Sequence, residues 1–230
     1  MAKTKRRRSQ AQKKSGPLPL IIAVAAVLLV VGGLIILNQN ATKPVVASVS
    51  VDFPTGITED GQPYKGGADA TVVLEEFSDF GCPHCRNFAE TLDAISDDYI
   101  KTGKIKVIFR NFVLSPRTLA AARGGECALD QGADAFWAYH DAVFANQARG
   151  DAIYAPSGIK SIAKQIGLDT AAFNKCMDTN QKTAEIQKDS QDGDARGIDS
   201  TPTLYFNGEK FLGAMPAAEL RAKLDSMLGQ

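Results

Sequence analysis

The longest apolar run in the chain is Leu18 to Leu37, 20 residues without a charge. At about 1.5 Å per residue a helix of that length spans roughly 30 Å, the depth of a bilayer's hydrocarbon core. The run is longer than the roughly 7–15 apolar residues of a cleavable signal peptide, so it predicts an uncleaved transmembrane anchor over 18–37. Residues 38–58 show no clear periodicity and are rich in Ala, Thr, Val, Ser and Pro, which predicts a tether. A folded domain is expected from about residue 59 to residue 230.

Within that domain the periods change twice. Thr71–Phe77 is apolar and β-branched, a buried strand. Phe88, Leu92, Ile95 and Tyr99 recur at spacings of three and four, one face of a helix from Arg86 to about Thr102. Lys104–Arg110 alternates and predicts a second strand, parallel to the first across the helix. Ser115-Pro116 is a cap followed by a first-turn proline, and it opens a helical block over about 115–196. Its helices are expected after Pro116, over 133–146, 157–166 and 170–179, and over 181–192. The strand period returns at Thr203–Phe206 and Lys210–Gly213, joined by the hairpin signal Asn207-Gly208. A last helix opens at Pro216, with Leu220, Leu224 and Leu228 on one side. The order is β-α-β, helices, β-β-α, an α/β domain.

Charge fixes the orientation. The formal net charge is zero, but residues 1–15 hold seven Lys and Arg and no acid, leaving 19 basic against 26 acidic residues beyond them. A basic tail of 1–17 ahead of an apolar span stays cytoplasmic. The expected location is therefore the cell membrane, single-pass, with the domain outside the cytoplasm. The tail's position makes nucleic acid an unneeded partner.

Outside the cytoplasm cysteines meet an oxidising compartment. Four are present, and the two-residue gap between Cys82 and Cys85 makes them the natural pair, leaving Cys127 with Cys176. The alternative for the latter is two buried free thiols. Cys82-Pro83-His84-Cys85 sits where a strand passes into a helix. A sulfur at a helix N-terminus faces unpaired N–H groups and the positive end of the dipole, which favour the thiolate that exchange chemistry needs. Pro83 suits the first helical turn, and a protonated His84 would add positive charge. Cys82 is thus the expected nucleophile and Cys85 the resolving thiol. A pair stabilised in its reduced form is a stronger oxidant. The competing interpretation is half of a zinc site, which usually has a second close pair of ligands; Cys127, Cys176 and His140 are singletons, so no metal is expected.

Glu76 lies six residues before Cys82 in the buried strand and could exchange protons with Cys85, or it is an ordinary strand-end carboxylate. Asp79 is expected in the loop, and His140 on a helix surface or in the core. Thr201-Pro202 precedes a strand; a cis bond would leave a backbone edge for a peptide substrate, although trans is the commoner isomer of X-Pro bonds.

The segments VVLEEF, SDFGCPHC and TPTLYFNG resemble the DsbA-type thiol–disulfide oxidoreductases, most closely the single-pass, membrane-tethered bacterial members, over roughly residues 60–230. The resemblance implies a thioredoxin fold with an inserted helical domain. It implies that Pro202 is cis and that Glu76 is a buried carboxylate, and an extra disulfide in some relatives fits Cys127–Cys176. No cofactor is implied beyond the redox-active disulfide Cys82–Cys85. The expected partners are exported proteins that are unfolded or reduced, and a membrane quinone-linked reoxidase. The leading expectation is an oxidase that donates disulfides. The alternatives are an isomerase, a dedicated thiol reductase, or a metal- or peptide-binding module without activity.

Overall fold

The computed structural model describes residues 49–230. The expected membrane span 18–37 and the basic tail lie outside the described residues. Among the described residues no helix is long and apolar enough to cross a membrane.

Six strands form one sheet: β1 (Thr55–Ile57), β2 (Pro63–Gly66), β3 (Val72–Ser78), β4 (Ile105–Asn111), β5 (Thr203–Phe206) and β6 (Glu209–Leu212), in the order β1-β2-β4-β3-β5-β6. Helix α1 (Pro83–Ile95) connects β3 to the parallel strand β4. Strand β5 pairs antiparallel with β3, so that Leu204 faces Glu76 and Thr203 faces Phe77. Asn207 and Gly208 both adopt positive φ, 46° and 90°, which the tight β5–β6 turn requires. Helix α7 (Ala217–Leu228) closes the chain and buries Leu220 and Leu224.

Between β4 and β5 stand α2 (Leu119–Leu129), α3 (Ala133–Asn146), α4 (Pro156–Gln165), α5 (Thr170–Thr179) and α6 (Thr183–Ala195). This is a thioredoxin-like α/β fold with a helical insertion. Most of the insertion shares the main core with one sheet face, through Leu74, Val107, Phe109, Leu204 and Phe206. On the other face Phe77, Phe112, Ile198 and Tyr205 form a smaller cluster. Helix α6 approaches that cluster so closely that a Cβ on Gly193 would stand 2.6 Å from the Phe112 ring. A polar cluster ties the insertion to the sheet. Arg110 of β4 pairs with Glu75, with Asp60 at 2.7 Å and with Asp189 of α6 at 3.8 Å.

Three boundaries differ from expectation. The tether was predicted to reach residue 58, but Val49, Val51 and Phe53 pack against the core and Thr55–Ile57 pairs with β2. Strand β1 is only three residues long, too short for a periodic signal. The helix expected to run from Arg86 to about Thr102 starts earlier, at Pro83, and is α-helical only to Ile95. A π-helical turn follows over Ser96–Ile100. Within this wider turn Tyr99 and Ile100 stay buried. The last insertion helix begins at Thr183 and runs to Ala195, three residues past the predicted end.

Cys127 of α2 and Cys176 of α5 form a disulfide across 49 residues. The chain-entropy model gives about 4 kcal/mol for closing such a loop. Replacing both cysteines with Ser in the full chain is expected to lower unfolding stability by roughly that amount. Trp137 is the sole tryptophan and is fully buried, so its fluorescence during denaturation reads the change.

Candidate active site

Strand β3 runs into a three-residue loop, Asp79–Gly81, and Cys82 follows as the N-cap of α1 with extended backbone and Pro83 in the first turn. The loop is held from three sides. Asp79 accepts hydrogen bonds from the N–H of Gly81 (2.8 Å) and of Leu114 (2.7 Å). Gln147 donates from Nε2 to the carbonyls of Phe80 and Cys82, each at 3.1 Å. The Tyr154 hydroxyl donates to the Phe80 carbonyl at 3.2 Å. Asp79 is therefore a loop residue, as expected, and it fixes the turn that presents Cys82.

The two sulfurs are free thiols with opposite surroundings. Cys82 is half-buried, and its Sγ lies 3.2 Å from the Thr201 carbonyl, to which the thiol donates. The Cys85 thiol, the Thr201 side chain and the N–H groups of Cys85 and His84 favour its anion, and they lower its pKa to about 5 against a partial burial that opposes them. Cys85 is one helical turn on and has no exposure. Burial pushes its thiol well above the usual value, reinforced by the hydrogen bond to Cys82 and the charge of Glu76. One side chain of the pair is built to be an anion and the other to keep its proton. Pro83 and His84 are exposed on the surface beside Cys82.

Glu76 is 1% exposed, and its Oε1 is buried without a hydrogen-bond partner among the described residues. Burial lifts its pKa to about 7, against the pull of the Lys65 charge. It shares the Cys85 side of the sheet. The Thr201–Pro202 bond is cis, as the resemblance implied and the residues alone did not. Cys82, Cys85, Glu76, Thr201 and Pro202 thus converge at the ends of β3, α1 and β5. Cys127 and Cys176 are elsewhere, bound to each other. His140 is a core residue with no exposure; its Nδ1 meets Asp141 at 2.7 Å, and burial lowers its pKa.

Three contributors were not legible in the sequence. Lys65 of β2 is 1% exposed, lies over the Trp137 ring at 4.6 Å and acts electrostatically on Glu76. Gln147 and Tyr154 reach the loop from more than 60 residues away. Nothing in their local pattern marks them; only β2–β4 pairing and the docking of the insertion bring them in. Among the described residues no group of His, Cys, Asp and Glu could hold a metal ion.

Two titrations follow. The thiolate absorbance of the reduced full chain is expected to rise with a midpoint near pH 5, and Cys82→Ala should remove that step; a midpoint near 8.5 would mean that the helix terminus does not activate the sulfur. Glu76 has a folded pKa above its unfolded one, so its ionisation opposes folding. Stability is lost as pH rises from about 4.5 through about 7. Glu76→Gln should therefore stabilise the reduced protein by up to about 3 kcal/mol at pH 8 and by little at pH 4, as read by denaturant midpoints.

A family model described as thioredoxin matches residues 58–226. Over 148 residues the chain is 30% identical to the probable disulfide bond formation protein D of Bacillus cereus, covering 62% of this chain and 68% of that one. It is also 26% identical over 179 residues to the Na(+)/H(+) antiporter NhaA 1 of Salinispora arenicola. That match takes in 76% of this chain but only 26% of the antiporter, so the chain spans about a quarter of that relative's length. The crystal structure of oxidised BdbD from Bacillus subtilis superposes with a TM-score of 0.68 at 25% identity, over 78% of this chain and 100% of that one. The chain belongs to the thioredoxin family, among the DsbA-like thiol–disulfide oxidoreductases.

Proposed function

We propose that this protein is a membrane-anchored oxidase that donates disulfides to exported proteins from the pair Cys82–Cys85. The observation that carries this reading is the split in acidity between the two sulfurs, with Cys82 lowered to about 5 and Cys85 raised. Stabilising the Cys82 thiolate stabilises the reduced pair, and a stable reduced pair makes its disulfide a stronger oxidant.

The donating form is the Cys82–Cys85 disulfide. A client thiolate attacks Cys82 Sγ, the more accessible sulfur, and the Cys82–Cys85 bond breaks as a client–Cys82 bond forms. The electron pair leaves on Cys85, which is a poor leaving group as an anion. Glu76, buried and titrating near neutrality, delivers a proton to it. A second client thiolate then attacks the client sulfur of the mixed disulfide. Cys82 departs as a thiolate, and its low pKa makes it a good leaving group. The client has lost two electrons and two protons, and the pair has gained both electrons. Thr201-Pro202 offers backbone beside Cys82 for an extended client segment. No cofactor enters these steps. A quinone-linked membrane protein is the proposed acceptor of the two electrons. The apolar run 18–37 would hold the domain at the outer surface, beside that acceptor.

The reduction potential of the full chain, equilibrated with glutathione, tests the reading. The expected value lies nearer to about −120 mV, typical of a strong disulfide donor, than to about −270 mV. A value at the lower figure would make the protein a reductase, and the donor role would be lost.

A further inference from the structure

Beside the redox pair lies a cavity of about 270 Å³ that the exchange chemistry does not use, with walls that include Gly81, Pro83, Arg86, Arg117, Asp151 and Tyr154. Two of these are the chain neighbours of Cys82. The others come from α1, from the turn before α2 and from the segment between α3 and α4. The cavity shares no residue with Thr201–Pro202. Its volume suits one side chain rather than a cofactor.

Its chemistry is cationic. Arg86 has its Nε buried without a hydrogen-bond partner among the described residues, and the acid it pairs with, Glu90, stands 3.7 Å away and is largely exposed. Arg117 lies 5.7 Å over the Tyr154 ring and pairs with Asp151 at 2.6 Å. Both members of that pair are at least half exposed, so the pair is weak and open to a competing carboxylate. Arg86 also lines a second cavity, and that one carries the acidic side chains of Glu90, Asp93 and Asp141. The walls are firm as well, because Gln147 and Tyr154 bind the loop carbonyls.

A client whose cysteine bonds to Cys82 brings its neighbouring residues along. Successive Cα atoms are about 3.8 Å apart, so a side chain one or two residues from the reacting cysteine reaches a cavity that begins at Gly81 and Pro83. We propose that this cavity is a client subsite for an acidic side chain placed within two residues of the reacting cysteine, with Arg117 as its selecting residue. The inference rests on the disulfide-donor reading and names the kind of client that reading leaves open.

The test uses the full chain, oxidised, and short dithiol peptides in which one cysteine is flanked by Glu or by Lys. Flanking charge changes a peptide's own thiol reactivity, so the quantity read is the Glu-to-Lys ratio of oxidation rates, compared between the natural protein and variants. Arg117→Glu should lower that ratio about five-fold, and Asp151→Asn, which frees Arg117, should raise it about two-fold. Both shifts should shrink in high salt. Oxidation of dithiothreitol should be unchanged in both variants. A ratio indifferent to both substitutions overturns the subsite while leaving the donor role intact. Failure to oxidise any peptide overturns both.

Discussion

Everything at this site depends on the first turn of α1. Four residues place two sulfurs at opposite electrostatic extremes. Cys82 caps the helix, where N–H groups have no helical partner and a negative charge is welcome. Cys85, one turn later, has already rotated into the core, where a charge is costly. Helix geometry sets up the asymmetry, because residues three apart share a face but stand at different depths from its end. The hydrogen bond between the thiols then links the two, so that what lowers one raises the other.

The sheet supplies what the helix cannot. β3 ends at the loop that leads to Cys82, and its Glu76 points to the same side as the buried sulfur. β5 pairs with β3 in a register that sets Leu204 against Glu76, which brings the preceding Thr201 carbonyl to the Cys82 sulfur. A shift of one residue in that register would turn the alternating side chains of β5 to the opposite face. Precision at the sulfur is thus inherited from strand pairing.

The helical insertion is more than a cap on the core. Asn111, at the end of β4, donates from its side chain to Glu126 of α2 at 2.7 Å and from its backbone N–H to Asp189 of α6 at 3.1 Å. Burial lifts Glu126 to about 7 and Asp189 to about 6, with Gln62 and Arg110 completing the shell around Asp189. Two buried carboxylates on one asparagine, with an arginine nearby, fix how the insertion docks on the sheet. The same docking carries Gln147 and Tyr154 to the loop that leads to Cys82.

The chain's own pattern determined the α/β order, the close pair Cys82–Cys85 between a strand and a helix, and the tight Asn207-Gly208 turn; it favoured pairing Cys127 with Cys176 and left two free thiols as the alternative. Those features rest on local rules: hydrophobic period, turn chemistry and cysteine spacing. The tertiary structure decided the rest. The depth of Glu76 depends on what covers β3, so periodicity left its role open. The isomer at Pro202 follows from its surroundings, and local preference pointed the other way. Strand β1 exists only because β2 is beside it, and Lys65, Gln147 and Tyr154 reach the site only through long-range packing. Burial and distant contacts are sums over the whole fold, and no short stretch of sequence contains them.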